Sequence, residues 1–318
     1  MRAVFLDYAT VDAGDLDPQS LHHAVGALTL YPATAPDAIA ERLRGADVAL
    51  INKIRLGREQ LDALPDLKMI ALAATGSDNV DLIAARERGI AVANIRDYCT
   101  PSVAQHVVAL ILTLARRLDR YRALVSSGAW RAPEPFCLLD EPIVDLDGRT
   151  LGIIGYGSLA RGVESITRAM GMRTLIAQRV GTAPSPDRVS LDELYARADV
   201  ISLHCPLNDT TRGMIDATAL SKMRPSALLI NTARGGLIDG AALVEALRAG
   251  EIAGAGIDVL PQEPPPDDEP LLSSDVPNLI VTPHVAWASV RARQQALEEM
   301  AQNIAAFGAG KPRNRIEG

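Results

Sequence analysis

The sequence is poor in cysteine, in long apolar runs and in clustered basic charge, and each shortage narrows its function. Only Cys99, Cys137 and Cys205 occur. An odd number without CxxC spacing points to neither a zinc site nor a disulfide framework and fits a reducing cytoplasm. The most apolar later stretch, VVALILTLA, is far short of the roughly 18 residues of a membrane span. The opening MRAVFLDYATVDAG meets Asp7 after a few apolar residues, so it reads as a first strand and not as a secretory signal. A net charge of -7 with no long basic run argues against a nucleic-acid surface. A soluble, cytoplasmic chain without metal, membrane or nucleic-acid partner is expected.

One further shortage is local. Residues 171 to 184 read GMRTLIAQRVGTAP, and upstream of them LGIIGYGSLARGVE carries a strand into a glycine turn and a helix. A dinucleotide-binding unit usually places an Asp or Glu about 20 residues further on, where it holds ribose hydroxyls. Gln178 and Arg179 stand there instead. A carboxylate would repel a ribose 2′-phosphate, whereas Arg179, helped by Arg188, can pair with one. NADP(H) is therefore expected ahead of NAD(H), the plainer alternative being that Arg179 is a solvated loop arginine. Within GYGSLA, Gly155 permits the tight turn, Gly157 lets the backbone approach a pyrophosphate, and Ala160 allows close helix-to-strand packing. Tyr156, Ser158 and Leu159 complete the expected phosphate-side contacts, where a helix start presents free N–H groups.

What is abundant is apolar alternation. A chain of 318 residues with 48% hydrophobic content suggests roughly two domains of about 150 residues. Short Val, Ile, Leu and Ala runs alternate with amphipathic helical stretches, the pattern of an α/β chain with parallel sheets covered on both faces. AVFLDY, DVALIN, LKMIALAA and IAVANI read as strands before residue 100; LGIIGYG, RTLIAQ, DVISLHC, ALLINTA, AGAGIDVL and LIVTPH read as strands after 150. PSVAQHVVALILTLARRLDRYRALVSSG predicts one unbroken helix from Pro101 to Gly128. GADVALINK followed by PDLKMIALAATG is echoed by ARADVISLHC followed by RPSALLINTARG, which suggests shared topology in two halves. SVRARQQALEEMAQNIAAF is helical with no strand after it, so it can return to the first domain and make that domain discontinuous.

Three residues stand beside predicted strand ends, where open α/β sheets bind ligands: Arg234 after ALLINTA, Glu263 after AGAGIDVL, and His284 at the end of LIVTPH. An Arg to hold a carboxylate, a His to protonate a forming alkoxide and a Glu to stabilise protonated His suffice to reduce a 2-oxo acid. Each alone also reads as structural: a packing His, a solvated Arg in a turn, a surface Glu among prolines.

These motifs resemble the D-isomer-specific 2-hydroxyacid dehydrogenase family. ATGSDNVDLIAARERGIAVAN, PSVAQHVVALIL, LGIIGYGSLA, SLHCPLNDTTRGMI, LLINTARGGLIDGAALVEAL, GAGIDVLPQEPP and NLIVTPH follow in family order across nearly the whole chain. The resemblance implies two doubly wound parallel-sheet domains with a cleft between them. A flavodoxin-like substrate domain would comprise residues 1–98 and 289–318, and a Rossmann cofactor domain residues 99–288. It also assigns Arg234, Glu263 and His284 as the catalytic triad. By the same pattern, amides at Thr75 and Gly76 bind the substrate carboxylate with Arg234. Asp258 holds the nicotinamide carboxamide or, as the structural alternative, caps a strand end. Thr232, Ala233 and His284 lie by the nicotinamide, and Cys205 and Pro206 by the adenosine.

Within the family, TPHVAWAS is similar to the bacterial hydroxypyruvate reductases (glycerate dehydrogenases), with Trp287 either narrowing the pocket or packing the hinge. Asn52 and Lys53 face the substrate or the solvent. The implied reaction is reduction of hydroxypyruvate to D-glycerate, or of glyoxylate to glycolate, and the reverse oxidation. Alternatives on the same scaffold are an NAD(H)-binding, redox-sensing corepressor-like protein and formate or phosphite oxidation. Gln105 departs from the Glu of a common VAEH. The segment GAWRAPEPFCLLDEP resembles a dimerisation arm, so a homodimer is expected, with Trp130 and Phe136 covered by a partner or packed within one subunit.

Overall fold

The computed structural model describes residues 1–131, 136–179, 181–183 and 185–316. The chain forms two compact units, Met1–Cys99 with Ala288–Gly318, and Thr100–Trp287. In the first, β1 (Arg2–Phe5), β2 (Ala27–Leu30), β3 (Val48–Ile51), β4 (Met69–Leu72) and β5 (Ala91–Ala93) make a sheet in the order β2-β1-β3-β4-β5, all pairs parallel. Every residue of β3 and β4 is buried, as a parallel sheet covered on both faces requires. Strand β2 is absent from the sequence-based expectation. It is a short edge strand whose residues are exposed or half-buried, so it carries no continuous apolar run to announce it.

The second unit holds β6 (Thr150–Ile154), β7 (Arg173–Ile176), β8 (Val200–Leu203), β9 (Leu228–Asn231), β10 (Gly254–Ile257) and β11 (Leu279–Val281), in the order β11-β10-β9-β8-β6-β7. A single parallel bridge joins Ala177, just past β7, to Val189. Counted as a rudimentary third strand, Val189 completes a doubly wound order whose reversal lies between β6 and β8.

The sequence echo has a structural counterpart. Asp47, just before β3, accepts the Arg2 backbone N–H of β1 at 2.8 Å; Asp199, just before β8, accepts the Thr150 N–H of β6 at 2.8 Å. Each sheet thus ties two neighbouring strands, β1 to β3 and β6 to β8, through an aspartate placed just before the later strand. Both aspartates also meet cations, Asp47 from Lys68 and Asp199 from Arg149 and Arg224, so neither charge is left alone.

The long helix is not continuous. It runs over Thr100–Ala115, and a second helix covers Leu118–Ser126, separated by Arg117 at φ 53°. The first segment has a stripe of buried Val, Leu, Ile and Ala, whereas the second buries nothing. Arg116 turns to Asp145 at 2.7 Å. Helix propensity alone gives no sign of this break, because Arg is a good helix former. The helix Val290–Gly308 belongs to the first unit: Arg293 pairs with Asp15 at 2.6 Å, and the buried Asn303 amide donates to Asn94 O at 2.8 Å.

Candidate active site

The glycine turn follows β6 at the reversal of strand order. Gly155 has φ +90°, and a Cβ there would lie 2.5 Å from Cys205 N and 2.6 Å from the His204 carbonyl carbon. Only glycine allows the end of β6 to sit this close to the end of β8. The twelve-residue helix Ser158–Ala169 then starts at Gly157 with no side-chain cap, whereas Asp216 and Asp239 cap other helices of the unit. A Cβ at Gly157 would meet nothing within 4 Å. Uncapped amides beside open space are what a pyrophosphate needs, so these residues fit a dinucleotide. Tyr156 is tied back by its hydroxyl, which donates to Glu164, while Ser158 and Leu159 form the first turn.

Beside this turn, Cys205 Sγ lies 3.8 Å from Met214 Sδ, and Pro206 O accepts the Thr211 hydroxyl at 2.7 Å. His204 Nε2 lies 2.8 Å from Ser202 Oγ. Burial pushes the imidazole of His204 down from 6.5 to about 4. Its folded-state proton affinity is lowered, so between those values the unfolded chain binds more protons. The resulting stabilisation is complete above pH 6.5 and lost as pH falls towards 4. Urea midpoints are therefore expected to drop over this window in the wild type, and less in His204→Gln. Parallel midpoint curves for the two proteins would refute the assignment.

At the end of β7, the Gln178 side chain turns into its own loop. Its amide donates to Thr182 Oγ1 at 2.7 Å and to Ala183 O at 2.6 Å, and its carbonyl accepts Ser185 N–H at 3.1 Å. Arg179 is exposed, and Arg188 donates to Ala177 O at 3.2 Å. Two arginines thus stand near this strand end, Arg188 bonded to it and Arg179 following it in the chain.

Strands β9, β10 and β11 are neighbours, so the loops leaving them bring Arg234, Glu263 and His284 to one edge in sheet order. Fully buried Asn231 shapes the first loop, donating to Arg234 O at 2.9 Å and accepting Ala233 N–H at 3.0 Å. The Arg234 guanidinium reaches Ala233 O at 2.8 Å, and Thr232 Oγ1 is buried without a hydrogen-bond partner. At Gly235 a Cβ would overlap the Leu260–Pro261 peptide, which is why a glycine must follow the arginine. Glu263 accepts Leu260 N–H at 3.0 Å through Oε1 and meets His284 Nδ1 at 2.5 Å through Oε2. This contact orients the ring and leaves Nε2 as the nitrogen not committed to Glu263. His284 itself has φ 55°. Its N–H donates to Asp258 O at 2.8 Å, and its carbonyl accepts the Trp287 indole N–H at 3.0 Å. The Asp258 carboxylate, 1% exposed, takes Val285 N–H and Ala286 N–H, each at 2.9 Å, and the Thr282 hydroxyl at 2.5 Å.

In the first unit, buried Asp7 does a similar job. It accepts Asn52 N–H at 2.9 Å, Lys53 N–H at 2.6 Å and Ile54 N–H at 3.1 Å. Asn52 is 4% exposed, and its amide donates to Thr10 Oγ1 at 3.0 Å, so it points into its own unit while Lys53 is exposed. Thr75 and Gly76 occupy the turn after β4, where Thr75 donates to Ile95 O at 3.0 Å and its carbonyl accepts the Asn94 amide at 2.7 Å.

Residues 108–286 match the model of the D-isomer specific 2-hydroxyacid dehydrogenase NAD binding domain. The chain belongs to this family. It is 46% identical over 317 residues, 99% of each chain, to a glycerate dehydrogenase of Methylorubrum extorquens. It is 35% identical, over 99% of each, to a hydroxypyruvate reductase of Blautia hydrogenotrophica. Among solved structures, an acyclic imino acid reductase (Bsp5) in complex with NADPH and D-Arg superposes with a TM-score of 0.86 at 28% identity, over 99% of this chain and 100% of that one.

This 2-hydroxyacid dehydrogenase is thus an oxidoreductase of CH–OH donors with an NAD-binding domain. No helix among its described residues is long and apolar enough to cross a membrane, and none of their His, Cys, Asp and Glu side chains group as a metal site. Asn231, Asp7, Thr282 and His106 were not singled out from sequence. Asn231, Asp7 and Thr282 position loops through the bonds described above, and only Asn231, three residues before the candidate arginine, gave any signal.

Proposed function

We propose that this dehydrogenase reduces hydroxypyruvate to D-glycerate, with glyoxylate to glycolate as its second reaction, and runs the reverse oxidations. The observation that carries the chemistry is the 2.5 Å His284–Glu263 contact on the strand ends beside Arg234. A bound reduced nicotinamide supplies the hydride. His284, protonated and paired through Nδ1 with Glu263, gives its Nε2 proton to the carbonyl oxygen as charge develops there, and retrieves it in the reverse direction. Arg234 holds the substrate carboxylate through its planar fork, with Thr75, Gly76 and Lys53 as further substrate contacts. Asn52 serves by shaping the Lys53 loop, and Trp287 limits the substrate to a short, polar side chain. The curated relatives named above support this substrate class.

Gly155, Tyr156, Gly157, Ser158 and Leu159 hold the pyrophosphate, Cys205 and Pro206 line the adenosine, and Thr232, Ala233 and Asp258 lie by the nicotinamide. NADP(H) is the favoured cofactor, NAD(H) the second. Arg179 and Arg188 stand where a carboxylate would exclude a 2′-phosphate, and Gln178 is engaged in its own loop. Initial rates for hydroxypyruvate and glyoxylate with NADPH and NADH test both parts. At least about tenfold higher kcat/KM with NADPH, equal to ~1.4 kcal/mol, is expected, and Arg179→Ala should erase it. A preference for NADH overturns the cofactor reading; no turnover of either acid with either cofactor overturns the substrate reading.

The protein is proposed to be a homodimer. Leu118, Val125, Trp130, Phe136 and Leu139 are exposed within one chain, the last two by 91% and 82%. Exposed apolar residues along this one stretch of chain support a subunit interface there, although residues 132–135 of this arm lie outside the described residues. Sedimentation should give the mass of two chains, and a single-chain mass at micromolar concentration would refute it.

A further inference from the structure

The helix Thr100–Ala115 begins the second unit and presents two polar residues one turn apart, Ser102 and His106, which share a face. Both reach the segment that carries His284. Ser102 Oγ donates to Ala286 O at 2.7 Å. His106 Nε2 lies 3.0 Å from Thr282 Oγ1 and 3.5 Å from Asp258 Oδ1. Thr282 has one hydroxyl proton, and Asp258, an acceptor 2.5 Å away, takes it. The Thr282 oxygen must therefore accept from His106, which places a proton on His106 Nε2.

The segment needs this hold. His284 sits in the left-handed region at φ 55°, a conformation that is unfavourable for a non-glycine residue and persists only where surroundings over-determine it. Asp258 takes the N–H of His284 on its carbonyl and those of Val285 and Ala286 on its carboxylate. A carboxylate so buried directs these bonds only while its remaining sites are satisfied, and Thr282, backed by His106, satisfies one.

We propose that His106 is a positioning residue for reduction of the 2-oxo acid, acting through Thr282 and Asp258 to hold the His284 backbone in its left-handed conformation. The inference rests on His284 as the proton donor. His106→Leu removes the donor, and His106→Gln restores an N–H of similar reach. Kinetics, reduced-cofactor fluorescence titration and the ring Cε1–H NMR resonance of His284, assigned by its loss in His284→Ala, would be measured for each.

In His106→Leu, kcat is expected to fall at least tenfold with KM and cofactor Kd little changed, and the His284 resonance to move. In His106→Gln, both return towards wild type. Thr282→Val should reproduce His106→Leu, and the double variant should be no worse than either single, as expected for one chain of contacts. Equal impairment of the Leu and Gln variants, or an unmoved resonance in His106→Leu, overturns the proposal. If His106→Leu fails to fold, Thr282→Val set against Thr282→Ser makes the same comparison. Should His284→Ala retain turnover, the proton-donor reading fails, while the resonance shift still decides whether His106 sets the loop.

Discussion

Replacing His284 by alanine is expected to lower kcat for hydroxypyruvate reduction by roughly 10²–10⁴-fold, the usual worth of a positioned general acid. Cofactor affinity should hardly change, because the proposed phosphate contacts lie at the helix Ser158–Ala169 and not in the histidine loop. Alanine is also a poorer occupant of φ 55° than the native residue, so a local rearrangement would add to the loss. His284→Asn controls for this, since Asn tolerates the left-handed region but supplies no ring nitrogen. Both variants should be slow in single-turnover assays with saturating cofactor, His284→Ala the slower of the two by the cost of the rearrangement. Turnover near wild type in either one would remove His284 from the chemistry.

Arg234→Ala is expected to lower kcat/KM roughly 10- to 100-fold, corresponding to the ~1.5–3 kcal/mol of a hydrogen bond to a charged group, with most of the change in KM. Arg234→Lys should recover only part, because an ammonium keeps the charge but not the two parallel N–H donors that match a carboxylate. The loop itself should survive: Asn231 holds it through main-chain atoms of Ala233 and Arg234, which neither substitution removes. Full rescue by lysine would mean that charge alone is read. An unchanged KM in Arg234→Ala would place the substrate carboxylate elsewhere.

The parallel sheets were legible because buried strands such as VALI and MIAL are apolar throughout, and the order of the three candidate residues followed from their positions at strand ends. Features set by tertiary contact were not legible. Strand β2 lies at a sheet edge and alternates exposed with half-buried residues. Arg117 breaks the long helix where burial ends, and nothing local marks the place. The Asp258 carboxylate accepts three donors from the His284 segment, a task that depends on residues 24 to 28 positions away and that no local pattern announces. The Gln178 amide is engaged in a turn that closes on Thr182, Ala183 and Ser185, a shape that no spacing rule describes.

The division of the chain has a consequence for its synthesis. The second unit is one uninterrupted stretch, Thr100–Trp287, whereas the first also needs Ala288–Gly318. That last stretch provides Arg293 for Asp15, Asn303 for the Asn94 carbonyl, and Arg315, whose bridge to Ala93 extends the edge of β5. Domains emerging from a ribosome tend to fold in order from the N-terminus. Here the sheet made first of the two is the last to be completed, and its β5 edge stays uncovered until Arg315 has been made.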